Sequence, residues 1–97
     1  MITHILLVQF TPQGVRTIRD SPKRAAALAK AAKGLGVTVE ATYWTSGGYD
    51  GVLLLRAPDD ETASALALTL ARAGNVQTQT LRAFDRERMK SILARVR

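Results

Sequence analysis

The residues best suited to chemistry gather in one short stretch, where the phenol of Tyr49 adjoins the carboxylate of Asp50 and the only tryptophan, Trp44, lies just upstream. A carboxylate beside a phenol and an indole can hold a polar ligand or serve as a general base. Asp50 can instead accept hydrogen bonds from the free N–H groups of Gly47 and Gly48 and so fix a turn. Both roles are open at this point.

Strand alternation extends this candidate site along the chain. With a hairpin loop of even length, Glu40, Thr42 and Trp44 fall on the same face as Tyr49. Trp44 would then lie across Gly51, which has no side chain to exclude the indole. An odd or bulged loop would reverse the assignment for one strand. The candidate ligand-binding residues are therefore Trp44, Tyr49, Asp50, Thr42 and Glu40.

A second candidate site is a group of three arginines, Arg16, Arg19 and Arg24, which flank the predicted start of the first main helix. Backbone N–H groups also point outward at a helix start, so a phosphate or carboxylate can lodge among the guanidinium groups. The alternative is structural, with Arg24 paired to Asp20 or to another neighbouring carboxylate.

The chain offers little to a metal or a cofactor. It has no cysteine, which excludes disulfides, thiolate metal sites and a cysteine nucleophile. No carboxylate spacing supports a metal site, and the Gly-Leu-Gly at 34–36 lacks the third glycine of a dinucleotide fingerprint. We therefore predict no metal and no cofactor. The single histidine, His4, is expected at the surface or hydrogen-bonded, unless it faces Asp50 or Glu40 as an acid or base.

The elements that must position these residues follow from hydrophobic periodicity and from turn signals. Strands are predicted over residues 2–11, 37–45, 49–57 and 76–84. A short helical turn is expected in the connection after the first strand. Ser21 is predicted to cap the next helix, with Pro22 at its first position and Gly34 ending it at positive φ. Asp59 and Asp85 are the predicted caps of two later helices.

The order βαββαβ with one appended C-terminal helix predicts a ferredoxin-like α+β fold for a single domain, residues 1–97. In that fold the first and third strands are central in a four-stranded antiparallel sheet. The apolar runs at residues 5–8 and 52–55 suit these central positions. The two main helices then cover one face of the sheet.

The other face of the sheet is expected to need a cover as well. We expect the helices to face Val39, Ala41, Tyr43, Val52 and Leu54, and the uncovered face to carry Leu6, Val8, Leu53 and Leu55. A second copy of the chain is the favoured cover, which would give a dimeric α+β barrel with a cavity between the sheets. The appended helix of the same chain is the alternative.

The sequence resembles the GYD domain family, named for the Gly-Tyr-Asp found here at residues 48–50. The resemblance rests on 43–50 and also on Phe10-Thr11 with Gln13-Gly14, on 20–25, on 57–60, on 74–76 and on 82–84. It implies a ferredoxin-like fold of the dimeric α+β barrel type, and it implies no reaction, substrate or cofactor. Arg56 departs from the family, whose members usually carry an acidic residue there.

Composition and charge limit the classes of partner. The 97 residues are 46% hydrophobic, carry a formal net charge of +6, and contain no apolar run long enough to span a bilayer. This is typical of a folded, soluble domain, and the start of the chain lacks the pattern of a signal peptide, which favours the cytoplasm. The basic residues lie mainly in 15–34 and 82–97.

Three functions fit these observations. The favoured one is a homo-oligomeric domain that binds a small molecule, as a sensor or as an enzyme without a cofactor. The second is a nucleic-acid-associated protein that uses the basic segments 16–33 and 86–97. Against it, RNA platforms of this fold expose aromatic residues on the central strands, and aliphatic residues occupy those positions here. The third is an assembly module without a ligand.

Overall fold

The computed structural model describes residues 1–97 and has the predicted order of strands and helices. The elements are β1 (Ile2–Phe10), α1 (Pro12–Arg16), a 3-10 turn (Ile18–Asp20), α2 (Ser21–Gly34), β2 (Thr38–Trp44), β3 (Gly51–Ala57), α3 (Asp60–Ala71), β4 (Val76–Ala83) and α4 (Arg86–Leu93). The chain therefore has the ferredoxin-like α+β fold that the periodicity predicted.

The four strands form one antiparallel sheet in the order β2-β3-β1-β4. The central position of β1 and β3 confirms the prediction made from their apolar runs. Helices α2 and α3 cover one face and bury a core of aliphatic side chains against it. Leu6, Leu55 and Leu66 are completely buried in this core, and the Leu28 side chain of α2 packs into it.

The predicted assignment of the two sheet faces was wrong except at Val39, although the pairing across the hairpin was right. Trp44 lies opposite Gly51 and Thr42 opposite Leu53, as expected. The helices, however, cover the side that carries Leu53. Both sides of β1 and β3 are apolar, so hydrophobicity could not distinguish the helix face from the uncovered one.

The side of the sheet away from α2 and α3 is called the open face below. Its apolar members alternate with the buried core residues along the strands and stay partly accessible in the single chain: Ile5, Leu7, Ala41, Tyr43, Val52, Leu54 and Leu81. A register shift in β2 between Val39 and Ala41 moves Val39 to the helix side, where it packs on the core.

Helix ends depart from the predictions at α2 and agree with them elsewhere. Ser21 does not cap α2; its backbone is already helical, because the 3-10 turn leads directly into the helix. The positive φ after α2 belongs to Gly36, at 74°, and Gly34 remains inside the helix. Asp59 and Asp85 do cap α3 and α4, accepting hydrogen bonds from the N–H groups three residues later.

Helix α4 does not cover the open face, so the alternative of a sheet capped by its own last helix was wrong. None of its residues is buried, and it forms no extensive contact with the sheet or with the other helices. Leu93 is 55% exposed. No helix of the chain combines the length and apolarity needed to cross a bilayer.

Candidate functional site

A hollow of about 50 Å³ lies between the start of α2 and the end of the sheet where β2 and β3 join. We call it the hairpin cavity. Its polar lining comes from Ser21, Arg24, Thr42, Trp44 and Asp50, and its apolar lining includes Val8, Phe10, Leu28, Leu53, Leu70 and Val76. Five segments that are distant in sequence therefore meet here: the end of β1, the start of α2, the hairpin, the end of α3 and the start of β4.

Trp44 closes the hairpin cavity through a bond to α2. The indole N–H donates to the Ser21 hydroxyl over 2.9 Å, so Ser21 fixes the indole instead of capping its own helix. A side chain at Gly51, opposite Trp44, would start 3.3 Å from the Tyr43 carbonyl oxygen and 3.7 Å from the Val8 Cβ. Glycine therefore relieves crowding against the Tyr43 carbonyl. No atom of the indole lies within 4 Å of this position, so the predicted packing of Trp44 across Gly51 was wrong.

Asp50 holds the hairpin against β1. Its carboxylate accepts the Phe10 N–H over 2.8 Å, and its own N–H donates to the Val8 carbonyl over 2.8 Å. The predicted partners, Gly47 and Gly48, were wrong, because the carboxylate points to the neighbouring strand and not into its own turn. The bond supplies an acceptor for a backbone donor at the end of the β1–β3 ladder.

Tyr49 and Glu40 lie away from the hairpin cavity. The Tyr49 hydroxyl donates to the Gln79 side-chain oxygen on β4 over 2.8 Å, across the open face. Glu40 lies 3.5 Å from Arg56, where both side chains are about half exposed. The five candidate ligand-binding residues are thus split: Thr42, Trp44 and Asp50 line the cavity, and the other two do not.

The three candidate anion-binding arginines are also separated. Arg16 and Arg19 are exposed, and no ion pair involves either of them. Arg24 points inward, where its Nη1 donates to the carbonyl and the hydroxyl of Thr17 over 3.0 and 3.1 Å. The predicted pairing of Arg24 with Asp20 or another carboxylate was wrong, and its Nη2 is buried without a hydrogen-bond partner in the protein.

A second set of contacts braces the cavity from the side of β4. Thr11 donates through its hydroxyl to the Gly74 carbonyl over 2.6 Å and through its N–H to the Asn75 carbonyl over 3.0 Å. Gln13 donates to the Asn75 side chain over 3.1 Å. Gly14 packs so closely that a Cβ there would overlap the Asn75 carbonyl oxygen. These residues fix the strand ends that carry Phe10 and Val76 into the cavity.

His4 lies at the end of β1 remote from Asp50, and its ring contacts Asp60 while Glu40 contacts Arg56, so it faces neither Asp50 nor Glu40. It is only 2% exposed, and its Nε2 lies 2.8 Å from the Asp60 carboxylate, which is also 3.6 Å from Arg82. The prediction that His4 is hydrogen-bonded is confirmed, but its burial was not predicted. The signal was present, because His4 continues the alternation of Leu6 and Val8 along β1.

Comparison with solved structures identifies neighbours of the fold. The "Leucine response regulatory protein (LrpA)" of Mycobacterium tuberculosis superposes with a TM-score of 0.64 at 17% identity, over 87% of this chain and 51% of the other. The "Feast or famine regulatory protein (Rv3291c)" of M. tuberculosis, complexed with L-methionine, gives 0.63 at 18% identity, over 88% and 51%. This chain thus spans about half the length of either regulator, and these identities show a shared fold.

A third structure matches over nearly its whole length. TTHA0845 from Thermus thermophilus is 29% identical, with a TM-score of 0.55, over 88% of this chain and 95% of the other. No curated protein matches the chain significantly. The family model described as the GYD domain matches residues 4–93. That match takes in the hairpin, the cavity and the strand ends that brace it, and the chain belongs to the GYD domain family.

Proposed function

We propose that this protein is a small-molecule-binding α+β domain whose ligand occupies the hairpin cavity. The observation that carries the proposal is the convergence of polar groups on one apolar hollow. Ser21, Thr42 and Asp50 come from three separate elements and line the same space. Ligand sites typically combine an apolar wall with a few polar groups in this way.

The volume of the cavity restricts what can bind. Typical ligand pockets measure about 300–1,000 Å³, whereas the hairpin cavity measures about 50 Å³. A groove of about 280 Å³ between α2 and α3 adjoins it and shares the lining residues Arg24, Leu28 and Leu70. The ligand is therefore compact, or it places one group in the cavity and extends along this groove.

The likeness to the M. tuberculosis regulator complexed with L-methionine gives limited support. The two proteins share a fold, and the complex indicates that a protein with this fold can bind a ligand of amino-acid size. The regulatory role printed in that protein's name is not carried over, because this chain spans about half of its length.

We also propose that two copies pair through their open faces. Val52 and Leu54 are half-buried there, while Tyr43 is 59% and Leu81 38% exposed. A contiguous apolar patch of this kind is typical of a protein interface. The chain's own α4 leaves the patch uncovered, so a second copy is the proposed cover. The cytoplasmic location stays a prediction.

Filling the cavity tests the binding function. Ala25 lines the cavity, and Ala26, the next residue of α2, is exposed, so Ala25→Leu and Ala26→Leu form a matched pair. We expect native mass spectrometry of the purified wild type and of Ala26→Leu to detect one retained metabolite, which Ala25→Leu loses while keeping the wild-type circular dichroism spectrum. The proposal fails if Ala25→Leu, with its cavity filled, retains the same metabolite.

A further inference from the structure

Arg24 carries a charge that the protein leaves uncompensated. No aspartate or glutamate lies within ion-pair distance of its guanidinium group. Nη1 is used by Thr17, but Nη2 is buried and has no partner in the chain. Leaving a buried donor unsatisfied is costly, and the cost is larger for a charged group. A buried donor without a hydrogen bond needs a physical explanation, and a ligand oxygen that accepts from Nη2 provides one.

The surroundings of Arg24 contain further donors. Arg24 lines both the hairpin cavity and the groove between α2 and α3. The Ser21 hydroxyl accepts the Trp44 indole N–H, so its own hydrogen is free to donate. Thr42 adds a second hydroxyl to the lining. A ligand rich in acceptors fits these donors, and a carboxylate matches the planar fork of an arginine best.

Asp50 restricts the ligand further, because its carboxylate lines the same cavity. One of its oxygens accepts the Phe10 N–H, and acceptor capacity remains on the carboxylate. A ligand that is only an anion would be repelled by Asp50. A ligand that also carries a hydroxyl or an ammonium group can turn that donor toward Asp50 and its own carboxylate toward Arg24.

We propose that the hairpin cavity selects small carboxylic acids that carry a hydroxyl or ammonium group, with Arg24 binding the carboxylate and Asp50 the donor. This assignment rests on the proposed binding function and adds the class of ligand to it. The group that enters the cavity has to be compact, because the cavity measures only about 50 Å³.

Lactate and two near-isosteric analogues test the assignment on the wild-type protein. Lactamide lacks the carboxylate charge, and propionate lacks the hydroxyl. The single tryptophan, Trp44, lines the cavity, so its indole N–H resonance reports binding without a label elsewhere. We expect lactate to shift that resonance and to bind about tenfold or more tightly than lactamide, the range of a hydrogen bond to a charged group. Propionate should bind several-fold more weakly than lactate.

Variants of Arg24 identify the group that recognises the acid. Arg24→Met should lower the affinity for lactate to that for lactamide. Arg24→Lys keeps the charge but not the planar fork, so its affinity for lactate should lie between those of the wild type and Arg24→Met. Lys30→Met removes an exposed charge from the same helix and should bind like the wild type. Because Arg24 also holds Thr17, thermal unfolding of each variant is measured first and titrations are run well below the melting temperature.

The outcomes separate this assignment from the proposed function. If lactate and lactamide bind equally and Ala25→Leu abolishes both, the cavity binds small molecules but Arg24 does not select acids, and the assignment is overturned. If none of the three compounds moves the Trp44 resonance at high concentration, the assignment is likewise overturned. Retention of another metabolite that Ala25→Leu loses would then leave the binding function standing.

Discussion

Replacing Gly14 by alanine should destabilise the protein, although alanine is the better helix former. Gly14 lies in α1 and is buried. A Cβ there would overlap the Asn75 carbonyl oxygen and lie 2.9 Å from the carbonyl carbon, so the backbone itself has to shift. The same oxygen accepts the Thr11 N–H over 3.0 Å, and that bond is lost or lengthened when Asn75 moves.

The opposing free energies can be compared. Overpacking costs about 1–3 kcal/mol, and a weakened backbone hydrogen bond adds about 1 kcal/mol. Alanine recovers about 1 kcal/mol of helix propensity. The net loss is therefore about 1–3 kcal/mol, which for a chain of this size lowers the melting temperature by roughly 10 °C.

Gly34→Ala is the matched control, because it makes the same change in a helix where nothing lies within 4 Å of the new Cβ. We expect it to raise the free energy of unfolding by about 0.5–1 kcal/mol, through the lower entropy of the unfolded chain. Urea unfolding followed by circular dichroism measures both variants. A Gly14→Ala protein as stable as the wild type would refute the close contact between α1 and the turn before β4.

Three further predictions concern the hairpin, a helix cap and the open face. Asp50→Ala leaves the Phe10 N–H without its acceptor and should cost about 1–3 kcal/mol in urea unfolding, with Asp50→Asn losing less; equal stability of all three proteins would contradict the strand-pinning role. Hydrogen bonds from the Thr62 side chain and backbone N–H lower the pKa of Asp59. Its contribution to the free energy of unfolding is therefore present above the ordinary aspartate pKa of 3.8 and is lost as pH falls through the lowered pKa. The free energies of unfolding of Asp59→Ala and the wild type should therefore be equal in strong acid and differ near neutral pH. A difference that stays constant with pH would contradict this prediction. Leu54→Glu places a charge on the open face and should give a folded monomer in analytical ultracentrifugation, whereas an unchanged dimer would place the subunit contact elsewhere.

The order and type of the elements could be predicted because each has a local cause. Asp59 and Asp85 supply side-chain acceptors at their helix starts, and both caps are confirmed. The opposition of Trp44 and Gly51 also followed from the length of the hairpin loop. These features depend on neighbours in sequence or on a single short turn, so local physical chemistry determines them.

The composition of the candidate site could not be predicted in the same way. It depends on which side of β1 and β3 the helices cover. Both sides are apolar, so the alternation predicts which residues pair but not which face the helices cover. The partner of Arg24 was misjudged for a related reason. Asp20 is close in sequence, but the 3-10 turn leads directly into α2, and the Arg24 side chain contacts Thr17 instead.

Tyr49 and Asp50 are adjacent in sequence and serve opposite faces of the sheet. The Gly48 carbonyl accepts from the Gln9 side chain on β1, and the Tyr49 hydroxyl reaches β4 over the open face. The Asp50 carboxylate lines the cavity on the helix side while it holds the end of β1. The Gly-Tyr-Asp triplet therefore ties the hairpin to both inner and outer strands, and its two polar side chains cannot belong to one pocket. It follows that substitutions at Tyr49 probe the proposed subunit contact and those at Asp50 probe the proposed ligand site, although one peptide bond separates them.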